Sequence, residues 1–483
     1  MNEIEKIFRE VLEEIRPLSK EIILINNIVT TLKNLIGKRA KKLDIKYTSI
    51  EPQGSTGIKQ TQLRDDFDID LFIGLEYDFY KKKYANLKKK KFKKKIKDDF
   101  LWLCKEWIMK ALKGSEFHNL KLLYAEHPYV QTNYDRNNKT IRIDIVLYFD
   151  LDLEYIKKNG PITAVDRSPW HGKFVKDFLT DGQKDDIRLL KQFFKACHSY
   201  GDKSAVGRVG FIGYSAELLI YHYKNIITVF ENFNNLKNTP LDYYGRSHKE
   251  LNKIKHFEND SLIITDPIDK NRNVASAISE KAYKYCNSQI SLFLKTPDKQ
   301  YFEIKEIPTL DIDRSTELIE NLFILESQNI DEDTHYTETR DKLYSLGDFI
   351  KTHGEKEYTH EQRFGNIFFE VYFEVTQKEY NLALYCENPI ISETYERKGP
   401  PISSKKHVKK FKEKNDNHFE KDGFLWTKAK RDYYNFLTFI TDKINERIPE
   451  NLKILNISNS KNVQTISGKR ALYVLNTMVL PYI

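Results

Sequence analysis

Cysteine is scarce in this 483-residue chain: Cys104, Cys197, Cys286 and Cys386 are all there is. No two of them form a Cys-x-x-Cys pair, and no histidine cluster accompanies them. That excludes a disulfide framework and a zinc finger or ribbon, and it points to a reducing, cytoplasmic setting. Long apolar runs are also missing. None approaches the ~18 residues that a membrane span needs. The opening MNEIEKIFREVLEEI is an amphipathic helix pattern and not a signal peptide. There is no internal repeat, and the one low-complexity segment is a run of lysines.

What is present is enough apolar material for packed cores: 40% hydrophobic residues and 13% aromatics. At roughly 150 residues per domain, the length suggests about three domains. Lysine and arginine number 79 against 70 aspartates and glutamates, a net charge of +9. A basic balance suits a polyanionic partner such as nucleic acid. A genome that favours lysine codons gives the same composition, so charge alone does not decide.

The residues at 4, 7, 8, 11, 12 and 15 are apolar at helical spacing, and Pro17 ends or kinks that helix. A second helix is predicted over 20–40. KYTSIEPQGS reads as a short strand entering a turn, and DIDLFIGL as the next strand. A lysine-rich helical stretch is predicted over 81–113, and strands over 119–125 and 140–149. From about 165 the pattern turns helical, with one helix in DDIRLLKQFFKACHSY and a helix or helix pair in GFIGYSAELLIYHYKNIITVFENF. FGNIFFEVYFEV, residues 364–375, is strand-like.

The most informative segment is GSTGIKQTQLRDDFDIDLFIGL, residues 54–75. On a strand, residues i and i+2 share a face, so Asp68 and Asp70 aim at one spot while Ile69 and Leu71 turn to the core. Two carboxylates that close repel unless a cation lies between them, and Mg2+ takes hard oxygen ligands. Gly54 allows close backbone approach to a phosphate, and Ser55 can donate to a phosphate oxygen. A two-metal site needs a third carboxylate. Asp144 supplies one, mid-strand in KTIRIDIVLYFD, where a charge is costly to bury unless paired or metal-bound. Asp65 and Asp66 fall in the loop before the strand and read as solvated.

The Gly-Ser turn, the Asp-x-Asp pair and the later strand aspartate resemble the polymerase-beta-like nucleotidyltransferases. Four further segments, YAEHPYV, AVDRSPWHGKF, RLLKQFFKACHSYG and DPIDKNRNVA, appear in the order and spacing of the archaeal-type CCA-adding enzymes. RKGPPISSKKHVKKFKEKN and GFLWTKAKRDYYNF resemble that family's tail domain, so the resemblance runs from the first helix to about residue 440. It implies phosphoryl transfer with two Mg2+ ions. Asp68, Asp70 and Asp144 would hold the first and Asp68 and Asp70 the second, with Asp144 assisting loss of the 3′-hydroxyl proton. It also implies nucleotide contacts. Gly54 and Ser55 match the turn that holds the triphosphate, and Ser168 and His171 match residues near the incoming nucleotide. Lys191 and Tyr200 match phosphate and sugar contacts, and Arg272 matches an arginine that reads the base.

The chain departs from the family in three places. The turn GSTGIKQT is about one residue longer than usual and lacks an arginine, for which Lys59 is the substitute phosphate contact. Ile212 stands where a small polar residue is common. The loop from Tyr77 to Lys97 is longer and more basic. In that loop Tyr84, Leu87, Phe92 and Ile96 recur at roughly helical intervals, so a helix docked on the sheet with its lysines outward is expected, close to the catalytic strand. The lysines there, and those around 405–414, are candidates to track RNA phosphates.

The expectation is therefore an α+β protein with a nucleotidyltransferase head over 1–150, a mostly helical nucleotide-binding region over 151–290 and a mixed tRNA-binding body and tail over 291–483. The expected activity is addition of CCA to the tRNA 3′ end from CTP and ATP, without a membrane partner. The resemblance allows a homodimer through the tail. Two other readings share the same residues: a 2′-5′ or cyclic oligonucleotide synthetase, and a non-catalytic RNA-binding protein.

Overall fold

The structure, a computed structural model, describes residues 3–84, 87–136, 139–312, 319–331, 333–356 and 363–483. Of the lysine run, Ala85, Asn86 and the Lys89 side chain lie outside the described residues. The fold is α+β and divides into two compact units. One comprises 1–197, 211–278 and 289–304; the other comprises 198–210, 279–288 and 305–483.

The first unit opens with two helices, α1 (Glu3–Ile15) and α2 (Ser19–Leu43). Its sheet has five strands: β1 (Ser49–Gln53), β2 (Ile69–Glu76), β3 (His118–Tyr124), β4 (Pro128–Arg136) and β5 (Lys139–Asp150), in the order β1-β2-β5-β4-β3. Only β2 and β5 are parallel neighbours; the other pairings are antiparallel. Alternation decides the two faces. Ile69, Leu71 and Ile73 of β2 and Ile143, Ile145 and Leu147 of β5 turn to one side. There they pack with Leu32 and Ile36 of α2 and with Trp107. Each such side chain, fully removed from water, contributes roughly 1.5–3 kcal/mol. The opposite face of the same strands carries Asp70 and Asp144.

The lysine-rich stretch is two helices and not one. These are α3 (Tyr77–Tyr84) and α4 (Lys89–Trp102), after which the chain continues as a π-helical segment, Leu103–Met109. Ile96 and Phe100 of α4 are buried in the same apolar layer as Ile143 and Phe149. Exposed Lys90, Lys91, Lys93, Lys94 and Lys97 face water. The helix is docked as expected, with one difference. It covers the sheet face away from Asp70 and Asp144, so its closeness to the catalytic strand in sequence does not bring its charge to the carboxylates.

Strand β4 was not legible in the sequence. Gln131, Thr132, Asn133 and Asp135 hide its alternation, although Val130 and Thr132 are fully buried. The helix predicted in DDIRLLKQFFKACHSY spans Asp181–Ala196, and Thr180 and Gln183 cap it reciprocally. GFIGYSAELLIYHYKNIITVFENF is a pair, Gly213–Tyr223 and Ile226–Asn232.

The second unit is built on a four-stranded antiparallel sheet: β6 (Leu322–Asn329), β7 (Ile367–Glu374), β8 (Glu379–Cys386) and, from the end of the chain, Leu452–Asn459. Its core draws on the helices Tyr336–Glu355 and Phe436–Arg447. A separate three-stranded sheet of Thr394–Pro401, His418–Lys421 and Phe424–Lys430 carries the basic helix Lys405–Lys414. Among the described residues, no helix is long and apolar enough to cross a membrane, and the four cysteines form no disulfide and are buried.

Candidate active site

β2 and β5 run parallel in a register that sets Asp70 directly beside Asp144. Asp68 lies one residue before β2 and is exposed. Burial, then the neighbouring charges of Asp144 and Asp68, push the Asp70 carboxyl up to about 6. Two side chains steady the group. Gln131 Nε2 donates to Asp144 Oδ1 at 2.9 Å. Arg142 Nη2 donates to Asp68 Oδ2 at 2.5 Å, while its Nε lies 3.6 Å from Asp144 Oδ2. Asp65 and Asp66 are exposed as expected, and each is ion-paired, with Lys139 and Lys195 respectively.

The turn after β1 sits against this cluster. Gly54 has φ +67°, and a Cβ there would meet Asp70 Oδ2 at 2.6 Å. Only glycine fits both the backbone conformation and the space. Thr56 Oγ1 donates to the Asp68 carbonyl at 2.9 Å, tying the turn to the start of β2. Ser55 is half-buried, and its carbonyl accepts from Thr61 N at 2.9 Å. Gly57 crosses so close to Pro52 that a Cβ would lie 2.1 Å from its carbonyl oxygen.

Lys59 and Lys191, singled out as phosphate contacts, converge on one buried carboxylate. Lys59 Nζ donates to Glu217 Oε2 at 2.6 Å and lies 4.6 Å from the Tyr214 ring centroid. Lys191 Nζ donates to the carbonyl and hydroxyl of Thr61 and lies 3.8 Å from Glu217 Oε1. Burial lowers the Lys191 ammonium to about 8, partly opposed by Glu217. The Lys59 charge is still felt at Asp70, where it favours ionisation.

A second buried network joins His171 and Arg272. His171 Nε2 is 2.8 Å from Asp266 Oδ2, and Arg272 Nη1 donates to the same oxygen at 2.8 Å. Tyr214 OH and Ile268 N donate to Asp266 Oδ1. The His171 ring stacks on Tyr214 at 4.2 Å. Burial works against the Asp266 charge, but His171 and Arg272 outweigh it and hold the carboxyl well below its usual range. Ser168 opens the Ser168–Phe178 helix and is half-buried. Tyr200 belongs to the second unit and is half-buried there.

The donors of the carboxylate cluster suit a hard divalent cation, being carboxylate oxygens whose mutual repulsion a cation would relieve. As the side chains stand, no group of three or more His, Cys, Asp or Glu among the described residues is gathered to hold one, and Arg142 occupies Asp68.

The chain matches the family described as "tRNA nucleotidyltransferase, second domain" over residues 185–303. The CCA-adding enzyme of Methanococcus maripaludis is 29% identical over 463 residues, 93% of each chain. That of Methanocaldococcus jannaschii is 28% identical over 471 residues, covering 96% of this chain and 95% of the other. That of Saccharolobus islandicus is 29% identical over 465 residues, 96% of this chain and 98% of the other. The chain is thus similar to archaeal CCA-adding enzymes along nearly its whole length and along nearly the whole length of each of them. Among solved structures, the Cid1 poly(U) polymerase with Mg and 3′-dATP bound aligns with a TM-score of 0.45 and 13% identity, over 62% of this chain and 98% of that one. E. coli CdnC with ATP aligns at 0.41 and 16%, over 62% and 94%.

Sequence reasoning missed four members of the site: Arg142, Glu217, Asp266 and Tyr214. Arg142 had a signal, since it stands two residues before Asp144 and shares its face of the strand. Asp266 lay inside the DPIDKNRNVA segment without a role. Glu217 and Tyr214 sit in an apolar helix pattern that gave no hint of buried polar partners.

Proposed function

We propose that this protein adds CCA to the 3′ end of tRNA from CTP and ATP, releasing pyrophosphate. The observation that carries the reading is homology to CCA-adding enzymes along nearly the whole chain, joined to the Asp70–Asp144 pairing with Asp68 beside it. The supporting geometry is a glycine turn packed on the Asp70 carboxylate, where a triphosphate would lie beside the carboxylates.

Asp68, Asp70 and Asp144 would hold two Mg2+ ions. When bound, these would lower the pKa of the attacking hydroxyl and offset charge on the transferring phosphoryl group. Arg142 must then give up Asp68. Asp144, oriented by Gln131, accepts the proton of the tRNA 3′-hydroxyl. Gly54 and Ser55 offer backbone and hydroxyl donors to the triphosphate. Lys59 and Lys191 supply positive potential behind the turn, fixed in place by Glu217. Arg272, anchored at one nitrogen by Asp266, has further N–H groups in its planar fork for a base edge.

Incubation of the protein with tRNA lacking its terminal CCA, with CTP alone, ATP alone and both, tests the reading. Addition of two C residues with CTP and completion with ATP is expected. Conversion of ATP to soluble oligonucleotides without tRNA would replace this reading with an oligonucleotide synthetase.

A further inference from the structure

We propose that the first unit carries a binding site for single-stranded RNA on the sheet face opposite the carboxylates, in the cleft between the end of α2 and helices α3 and α4. A cavity of about 450 Å³ opens there, with Lys46, Phe79, Lys83 and Trp102 in its wall. Phe79 is 53% exposed and Trp102 51% exposed, although both sit beside a well-filled core. Two large rings left in water within one cleft are costly unless something covers them.

The surroundings say what covers them. From Lys81 to Lys97 the sequence contains no acidic residue, Lys41 and Lys42 in the last turn of α2 are exposed, and Lys46 beyond α2 lines the cleft. Two carboxylates also line it, Asp44 and Asp99. Asp99 is engaged by Lys83 at 2.9 Å, by Lys95 at 3.1 Å and by Tyr84 OH at 2.9 Å. Within the wall lysines and carboxylates balance, Lys46 and Lys83 against Asp44 and Asp99; the surplus of positive charge lies on the flanking helices, in exposed Lys81 and Lys82 of α3, Lys91 and Lys94 of α4 and Lys41 and Lys42 of α2. Rings that take stacked bases, set within a basic track for phosphates, are the combination that holds single-stranded nucleic acid. The rings line a concavity, which a base can enter and a planar membrane surface cannot.

The occupant is not the strand end being extended. Ile96 and Phe100 of α4 pack into the apolar layer on one side of β5, and Asp144 leaves the other side. Sheet and apolar layer thus lie between this cleft and the carboxylates. A nucleotide seated against Phe79 and Trp102 belongs to a different stretch of RNA.

The test uses the full-length protein, a fluorescent 3′-phosphorylated oligouridylate that cannot be extended, and saturating tRNA to fill the catalytic face. The oligonucleotide should bind in the presence of tRNA. Phe79→Ala and Trp102→Ala should each weaken it about tenfold or more, while Trp102→Tyr, which keeps a stacking ring, restores most of the affinity. Replacing Lys46, which lines the cleft, together with Lys91 and Lys94, on the Trp102 side of α4, by glutamine should flatten the salt dependence by about 0.7 in log–log slope per lost phosphate contact. Nucleotide addition at saturating tRNA should not change in any of these variants, which also reports that they are folded. Binding is read separately from addition, so failure of one assignment does not imply failure of the other. Displacement of the oligonucleotide by tRNA, wild-type affinity in the Phe79→Ala/Trp102→Ala variant, or binding to phosphatidylserine vesicles in place of RNA would each overturn the proposal.

Discussion

Asp70 and Asp144 lie side by side across a parallel strand pair, and Asp68 is close enough to help raise the Asp70 carboxyl to about 6. Crowding of this kind is destabilising in itself and is relieved by a divalent cation. Asp70→Asn or Asp144→Asn should therefore abolish nucleotide addition, by at least about a hundredfold, while tRNA affinity stays near wild type. Chelation with EDTA should do the same reversibly. Single-turnover addition and filter binding measure the two quantities. A variant retaining more than about a tenth of wild-type turnover would remove its residue from the metal site.

Gly54 should be nearly as sensitive. In Gly54→Ala the new Cβ meets a positive φ and an Asp70 oxygen at 2.6 Å, so the turn or the carboxylate must shift. Left-handed backbone alone costs about 1–2 kcal/mol for a residue with a Cβ. The expected result is a melting temperature lower by a few degrees and a loss of kcat of tenfold or more. Full activity in Gly54→Ala would show that the turn moves away from Asp70 when nucleotide binds.

The carboxylates were legible in the sequence because strand alternation is a local rule. The pairing of Asp70 with Asp144 needed only a two-residue period and a costly charge in an apolar run, whereas Asp68, read as part of the same strand, falls one residue before it. The helices over 181–196 and 213–223 were legible for the same reason. The polar networks were not, because they close over long separations: Lys59 meets Glu217 158 residues away, and His171 meets Asp266 95 residues away. Nothing in the local pattern around Glu217 distinguishes a buried acid with three partners from a solvated one. The lysine run shows the opposite error. Nearness in sequence to Asp70 suggested nearness in space, but α4 crosses to the other face of the sheet.

Lys191 gives a pH-dependent signature. Its ammonium is lowered from 10.5 to about 8 by burial. Below pH 8 it is protonated in both folded and unfolded states, and the burial penalty is present in full. Between about 8 and 10.5 the folded state has lost the proton that the unfolded state still binds, so this residue makes stability rise with pH. Its contribution reaches at most about 3 kcal/mol. Urea unfolding of wild type and Lys191→Met across that range should show the difference between them changing in this direction. A pH-independent difference would mean that Lys191 is charged throughout, held by Glu217.

Arg272 tests how the base is chosen. One of its nitrogens is fixed by Asp266, its guanidinium carbon lies 5.9 Å from the Tyr214 ring centroid, and 30% of the side chain remains exposed. A planar donor fork held at one corner is suited to a base edge, whose loss costs about 1–3 kcal/mol of discrimination by analogy with base readout in DNA complexes. Arg272→Ala should therefore raise incorporation of UMP and GMP relative to CMP and AMP by roughly 5- to 150-fold, with a smaller loss of rate at saturating correct nucleotide. The same substitution removes the guanidinium from buried Asp266, so Arg272→Lys is the needed companion. Lysine keeps a charge for Asp266 but not the fork. If Arg272→Lys restores both stability and selectivity, the arginine serves Asp266. If it restores stability while selectivity stays low, the arginine reads the base. An equal loss of affinity for every nucleotide in Arg272→Ala, with selectivity intact, would place Arg272 on the triphosphate instead.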